Sequence, residues 1–217
     1  MLANFRMPSF RRVLVMLLGI VLIAVGVALF TFSQMGSDPS TTFAIALGSI
    51  LGVRMSSMII LCNSAYFIVE ILFGRKLIGI GTFINALCVG PMAELILSWL
   101  STVSWLHGGN LPFLPRLAIV VLGILILSLS ASMYQTADVG IAPYDALSII
   151  MSRRQKKLPY FWFRIAVDSA CVLLALLLGG FVGLGTLICS LGLGPFITFF
   201  DRTVSRPLCG LRDCQKS

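Results

Sequence analysis

Long apolar runs are the feature of this sequence that most constrains its fold. Runs of about twenty apolar residues recur along the chain, and a helix needs roughly that number to cross the hydrocarbon core of a bilayer. Charged residues make up only 11% of the 217 residues, against roughly a quarter in a soluble domain. These features exclude a water-soluble globule. They predict an all-α, polytopic bundle that forms a single transmembrane domain over residues 1–217, with the lipid bilayer as its first partner.

The excess of basic residues has a membrane explanation. The chain carries 16 Lys and Arg against 8 Asp and Glu, a formal net charge of +8. Basic residues cluster at the ends of apolar runs, as from Arg153 to Lys157, which is the pattern that the positive-inside rule leaves. We therefore expect no nucleic-acid partner. The same pattern predicts that both termini lie in the cytoplasm, with a short basic tail at residues 204–217.

An internal repeat is the most informative pattern. When the chain is aligned with itself at an offset of about 104 residues, a series of Gly, Pro, Thr and Arg residues coincides without a gap. Chance matches in an apolar chain favour Leu and Ile, so these matches indicate a duplicated unit, with repeats at about 12–100 and 115–203. The matched residues are Arg12, Gly19, Gly36, Pro39, Gly79, Gly81, Thr82, Gly90 and Pro91, with Arg116, Gly123, Gly140, Pro143, Gly183, Gly185, Thr186, Gly194 and Pro195.

Each unit is predicted to contain four helical elements, the second of them short. The expected bounds are 12–34, 39–51, 55–73 and 79–100 in the first unit, and 115–136, 143–152, 159–178 and 183–202 in the second. Gly90-Pro91 and Gly194-Pro195 fall inside the fourth elements. Because proline removes a backbone donor and clashes with the preceding turn, we expect them to kink or break these helices. Together with Pro39 and Pro143, they are the candidate hinges.

The short second elements leave the topology open. Ten to thirteen residues at about 1.5 Å each cover only part of a core of roughly 30 Å. If both segments cross, the chain has eight crossings and parallel repeats. If they dip in and return as half-helices, it has six crossings and inverted repeats. Counting basic residues does not separate these alternatives, because each leaves two outside: Arg75 and Lys76 for eight crossings, Arg54 and Arg116 for six.

The second unit carries a recognisable set of motifs. They are G-x-x-P-(aromatic or Arg)-D in the short segment, R-x-x-x-(E/D) in the next helix, and G-G-x-V-x-x-G-T before the last. With these motifs the unit resembles the bacterial YczE-like integral membrane proteins, grouped with YyaS and YitT proteins, and through the duplication the resemblance covers nearly the whole chain. The matching residues are Gly140, Pro143, Tyr144, Asp145, Arg164, Asp168, Gly179, Gly180, Val182, Gly185 and Thr186.

The resemblance implies an integral protein of the bacterial plasma membrane without an assigned activity, since family members are described as candidate transporters or as uncharacterised. The first unit departs from the pattern: Asp38 precedes Pro39, and Thr41 occupies the slot that matches Asp145. The motifs therefore do not predict a two-fold symmetric acidic site.

The intramembrane charges of the second unit are the first candidate substrate-binding residues. Arg164 and Asp168 are four residues apart and share a helix face, near enough for an ion pair. In the alternative, Arg164 reaches the cytoplasmic surface and Asp168 only neutralises it. Asp145, at the start of a short helix, either caps that helix or lines a cavity with Tyr144 and Asp168. In the cavity, the helix start would present donors to an anionic group, and an Arg would clamp a carboxylate.

The first unit adds further polar residues at apolar depth. Glu94 stands three residues past Pro91, where a carboxylate one turn beyond a kink is suited to bind a proton or cation. Glu70, beside Arg75 and Lys76, is expected at the membrane interface. Asn85 is the remaining candidate for ligand binding, although intramembrane amides more often bond to neighbouring helices.

Two functions remain open at this stage. Duplication, short half-helices and a few intramembrane charges favour a transporter or permease for a small solute, whose substrate the sequence does not name. The alternative is a non-transporting scaffold or regulatory partner of another protein, and a homo-oligomer is also compatible. No enzyme motif, metal-ligand pattern or cofactor signature is present, so we expect neither catalysis, nor a metal, nor a cofactor. Cys209 and Cys214 in the tail are expected to be acylated or without a role.

Overall fold

The fold is a helical bundle with two short helices among long ones. The computed structural model describes residues 9–102, 111–155 and 157–210, and all regular structure within those ranges is helical. The predicted all-α class is therefore confirmed. The helices are α1 (Phe10–Ser33), α2 (Pro39–Leu51), α3 (Met55–Phe73), α4 (Ile80–Thr102), α5 (Phe113–Ala137), α6 (Pro143–Arg154), α7 (Tyr160–Leu177) and α8 (Leu184–Phe200).

The chain does not leave the bundle directly at the end of α8. A π-helical segment at Asp201–Ser205 and a single turn, α9 (Arg206–Leu208), continue it, so the first residues of the predicted tail are helical. At the opposite end of the chain, the Arg11 guanidinium donates to the Pro207 carbonyl at 3.3 Å. The start of α1 and the end of α9 therefore lie at the same end of the bundle.

Helix length and direction decide between the two topologies. Six helical spans in the described part of the chain are long and apolar enough to cross a bilayer, and α2 and α6 are not among them. The hydroxyl of Tyr144, the second residue of α6, bonds Asp168 halfway along α7, whereas Arg154 at its end lies 4.5 Å over the ring of Phe73, the last residue of α3. Helix α6 thus runs from mid-depth to one end of the bundle.

Helix α2 runs to the other end. Asp38, the residue that caps its start, lines the same cavity as Arg164. Ala46, in its last two turns, packs against Gly180, just beyond the end of α7. Both short helices therefore start at mid-depth and run in opposite directions. The structure supports six crossings, with α2 and α6 as half-helices.

Helices α1 and α5 form the centre of the bundle and pack antiparallel. Gly26 of α1 lies against the Leu127 side chain, and Gly123 of α5 lies against the Phe30 ring. At the end of α1, the carbonyls of Ser33 and Gln34 have no partner within the helix, and the Arg116 side chain of α5 donates to both, at 2.8 and 2.7 Å. The last carbonyls of a helix have no partner within the helix, and here an arginine of the neighbouring helix supplies their hydrogen bonds.

The chain before each half-helix is pinned to the start of a distant helix. Gly81 N donates to Val139 O at 3.1 Å, and Gly185 N donates to Met35 O at 2.8 Å. Gly36 and Gly140, which follow these carbonyls, have φ of +115° and +129°, a region that residues with a Cβ rarely adopt. Glycine is therefore required at both turns.

Of the two effects expected of Gly-Pro in the fourth helices, a kink or a break, the break does not occur. Helix α4 continues through Pro91, and α8 continues through Pro195. Gly90 lies against Ser56 of α3, and Gly194 lies against Phe161 of α7, so the glycines permit close helix packing. The other two candidate hinges, Pro39 and Pro143, are the first residues of α2 and α6, where a missing N–H costs no intrahelical bond.

Candidate functional site

An arginine shared by two carboxylates forms the core of the candidate site. Arg164 Nη1 pairs with Asp145 Oδ1, and Arg164 Nε donates to Asp168 Oδ2 at 3.2 Å. All three residues are buried, with Asp168 fully inaccessible to solvent. The alternative in which Arg164 extends to the membrane surface is therefore wrong. Unpaired charges are costly inside a bilayer. In this triad one guanidinium pairs with two carboxylates, so one negative charge remains when both carboxylates are ionised.

Local sequence explains how these side chains meet. Arg164 and Asp168 are one turn apart on α7, while Tyr144 and Asp145 lie in the first turn of α6. The Tyr144 hydroxyl donates to Asp168 Oδ1 at 2.5 Å, and the Gln135 amide donates to Asp145 Oδ2 at 3.1 Å. The remaining oxygens of both carboxylates are thus held by neutral donors, which orients the triad.

The triad borders a partly open cavity of about 90 Å³. The starts of both half-helices reach this cavity, one bringing Asp38 and the other bringing Tyr144 and Asp145. Of the predicted residues, Asn85, Tyr144, Asp145 and Arg164 line it. Asp168 lies behind Tyr144, outside the lining. Glu94 is partly exposed and does not reach the cavity, so the structure does not bring it together with the others.

Asp38 is the site residue that the sequence analysis missed. Its carboxylate accepts from Thr41 N at 3.1 Å and so caps α2, while it also faces the cavity. Acidic residues of both halves therefore meet, although they occupy non-equivalent positions: Asp38 precedes its helix and Asp145 lies inside the first turn of the other. Asn63 of α3 also lines the cavity. An acidic residue directly before an N-terminal proline was the available signal.

The geometry does not favour the expected clamp for an anion. The Nη1 and Nε groups of Arg164 are engaged by its own carboxylates, and its guanidinium lies 4.9 Å over the Tyr144 ring. At the start of α2, Asp38 already accepts from the backbone N–H of Thr41. An entering anion would compete with these carboxylates and meet their charge.

Glu70, in the last turn of α3, is buried within the bundle. Its side chain is inaccessible to solvent, and neither carboxylate oxygen has a hydrogen-bond partner among the described residues. Ser148 on the neighbouring α6 is likewise buried with an unpartnered hydroxyl. A carboxyl group in such surroundings stabilises nothing in the folded state, because its desolvation is not repaid.

Glu70→Met is therefore expected to raise the free energy of unfolding by about 1–3 kcal/mol, since an apolar side chain of similar volume removes a desolvation penalty. Thermal unfolding of the purified protein in detergent measures the change. Glu70→Gln, which keeps two buried polar atoms, is expected to gain less. A lower unfolding temperature for Glu70→Met would show that the carboxyl group makes a stabilising interaction.

Of the two tail cysteines, the structure describes only Cys209. Cys209 is buried, and burial raises the pKa of its thiol, which disfavours the thiolate that acylation needs. Cys214 lies outside the described residues. Within the described ranges, no three His, Cys, Asp or Glu residues are grouped as a metal site would require.

Comparison with known proteins gives a family and no activity. The model of a family of unknown function, DUF6198, matches residues 10–202. An uncharacterized protein of Haemophilus influenzae is 26% identical over 91% of this chain and 87% of its own, and the uncharacterized protein YyaS of Bacillus subtilis is 23% identical over 79% and 83%. No solved structure matches. The match to YyaS confirms the resemblance drawn from the motifs, and the chain belongs to the DUF6198 family.

Proposed function

We propose that this protein is a transporter or permease for a small solute, resident in the bacterial inner membrane. The observation that carries the proposal is the cavity at the starts of two opposed half-helices, whose mainly apolar wall carries Asp38, Asp145 and Arg164. Discontinuous helices that start at mid-membrane are a recurring way to build solute sites in transporters, because they expose backbone groups and charges where the bilayer is otherwise apolar.

The predicted duplication of the chain supports the same proposal. The starts of α2 and α6, Pro39 and Pro143, are 104 residues apart, and equivalent bonds pin Gly81 to Val139 and Gly185 to Met35. With three crossing helices in each half, a duplicated unit has the opposite orientation in the second half. Inverted halves around a central site allow the two to exchange conformations and so open the site to either side in turn.

The distribution of basic residues supports cytoplasmic termini. Arg75, Lys76 and Arg153 border one surface depression, at the end of the bundle where α3 and α6 finish. The helices that start at the opposite end, α3 and α5, bring only Arg54 and Arg116. The positive-inside rule then assigns the richer end, together with the chain ends, to the cytoplasm.

Asp168→Asn is expected to lower solute flux about tenfold or more, because it removes one charge that holds Arg164 while keeping an acceptor for Tyr144. The solute is first identified by a thermal-shift screen of amino acids, organic acids, amines and thiols against the purified protein. Flux is then measured in proteoliposomes.

The matched control is Asp138→Asn, the same change at an exposed carboxylate whose left-handed backbone suits asparagine. Its flux should equal that of the wild type. If no compound binds a well-folded sample, or if bound compounds are not transported, the proposal fails. The scaffold function would then be tested by capturing partners on the loop from Arg153 to Lys157.

A further inference from the structure

The charges around the cavity do not balance. Three carboxylates, Asp38, Asp145 and Asp168, face one guanidinium, that of Arg164. Arg164 is paired with Asp145 and Asp168, and no basic side chain in the described ranges lies within ion-pairing distance of Asp38. With the carboxylates ionised, the cluster carries two excess negative charges in a largely buried region, where solvent screens charges less than at the surface; Asp38 itself is half-buried.

The half-helices reduce this excess without removing it. Each helix start carries roughly half a positive charge from its aligned peptide dipoles, and both α2 and α6 start at the cavity. Together they offset about one of the two negative charges. About one negative charge is left without a partner, and the carboxylate without a basic partner is Asp38.

An unpartnered amide points independently to a ligand. Asn85 is 5% exposed and lines the same cavity, yet its Nδ2 has no hydrogen-bond partner among the described residues. A buried donor in this state costs free energy unless an oxygen atom accepts from it. The cavity therefore has an excess of negative charge and a buried donor, Asn85 Nδ2, without an acceptor.

We propose that the cavity binds one small monovalent cation, with Asp38 as its anionic ligand and an oxygen of its hydration shell or of its own structure accepting from Asn85. The charge left over is single, which fits a monovalent ion. The volume of about 90 Å³ equals that of roughly three water molecules, which suits a partly hydrated alkali ion or an ammonium compound of a few heavy atoms. This inference rests on the proposed transport function, because it names the substrate or coupling ion of the same cavity.

The test compares thermal unfolding of the full chain in detergent at constant ionic strength in different chloride salts. The salts are sodium, potassium, methylammonium, ethanolammonium and N-methylglucammonium, the last too large for the cavity. A bound cation should raise the unfolding temperature saturably, by roughly 5 °C or more at a hundred times its dissociation constant. If only sodium or potassium raises the unfolding temperature, the bound cation is an inorganic ion. If only ethanolammonium raises it, the bound cation is an organic ammonium compound.

Asp38→Asn is the decisive variant. Asparagine caps a helix as well as aspartate does, so α2 keeps its cap and only the charge is lost. The cation-dependent shift should disappear in Asp38→Asn, weaken in Asn85→Ala and persist in Asp138→Asn. An equal shift in Asp38→Asn, a shift that follows the anion when gluconate replaces chloride, or no difference from N-methylglucammonium would overturn the inference.

The two proposals fail separately. Solute flux that depends on Asp168 but is indifferent to every small cation leaves the transport function and removes the cation site. Saturable cation binding that depends on Asp38, without flux of any compound, leaves the cation site and removes transport.

Discussion

Arg164→Leu is expected to lower the free energy of unfolding by about 3–5 kcal/mol, the typical cost of removing one partner from a buried ion pair. In this case the cost falls on two carboxylates at once. Asp145 keeps its bond from Gln135, and Asp168 keeps its bond from Tyr144, but neither neutral donor replaces a cation. Unfolding of the purified variant in detergent, followed by temperature or by added denaturing detergent, measures the loss.

Two further variants show whether charge is the cause. Arg54→Leu removes an exposed arginine and should change stability by no more than about 0.5 kcal/mol. Adding Asp145→Asn and Asp168→Asn to Arg164→Leu removes the uncompensated charges and should recover much of the loss. If the triple variant is no more stable than Arg164→Leu, shape and not charge holds α6 and α7 together at this point.

Gly183→Ala is expected to cost about 3 kcal/mol or more, or to prevent accumulation of folded protein, beyond the usual range for one added methyl group in a core. A Cβ at Gly183 would overlap the carbonyl group of Met35 and the backbone of Gly36. The φ of Gly183 is −89°, which alanine adopts freely, so the whole cost is steric. Backbone cannot rotate away as a side chain can, and the Met35 carbonyl also accepts from Gly185.

Gly192, inside the helix α8 that Gly183 precedes, provides the control. In Gly192→Ala the new Cβ would make only ordinary contact with the Phe196 ring, at 3.8 Å, and alanine favours a helix by about 0.5–1 kcal/mol. Stability should therefore rise slightly. Equal thermal stability of Gly183→Ala and wild type would mean that the crossing near Met35 is looser than described.

Helix positions could be predicted because their signals are local. The start of α2 at Pro39 and its end at Leu51 follow from an N-terminal proline and a glycine after the last turn, and both match the structure. The break expected at Pro91 did not occur, because a single missing N–H does not end a helix that its neighbours hold on several sides.

Membership of the site could be predicted only in part. Arg164 and Asp168 are one turn apart, so their pairing follows from helix geometry alone. The position of Asp38 depends on where α2 starts within the depth of the bundle, and the burial of Glu70 depends on which face α6 covers. Both are set by packing between helices that are distant in sequence, which periodicity does not encode.

The bonds that pin each half-helix also order the events of synthesis. Ser37 N donates to the hydroxyl of Thr186, 149 residues later in the chain. Met35 O likewise accepts from the N–H of the distant Gly185. While the ribosome makes the residues between, the turn before α2 has polar groups with no protein partner, in a place that lipid cannot hydrate. The first half is therefore not a unit that is completed before the second appears. It becomes native only when the last long helix enters the membrane, and a chain stopped before α8 would present the unfinished turn to the quality-control proteases of the cell.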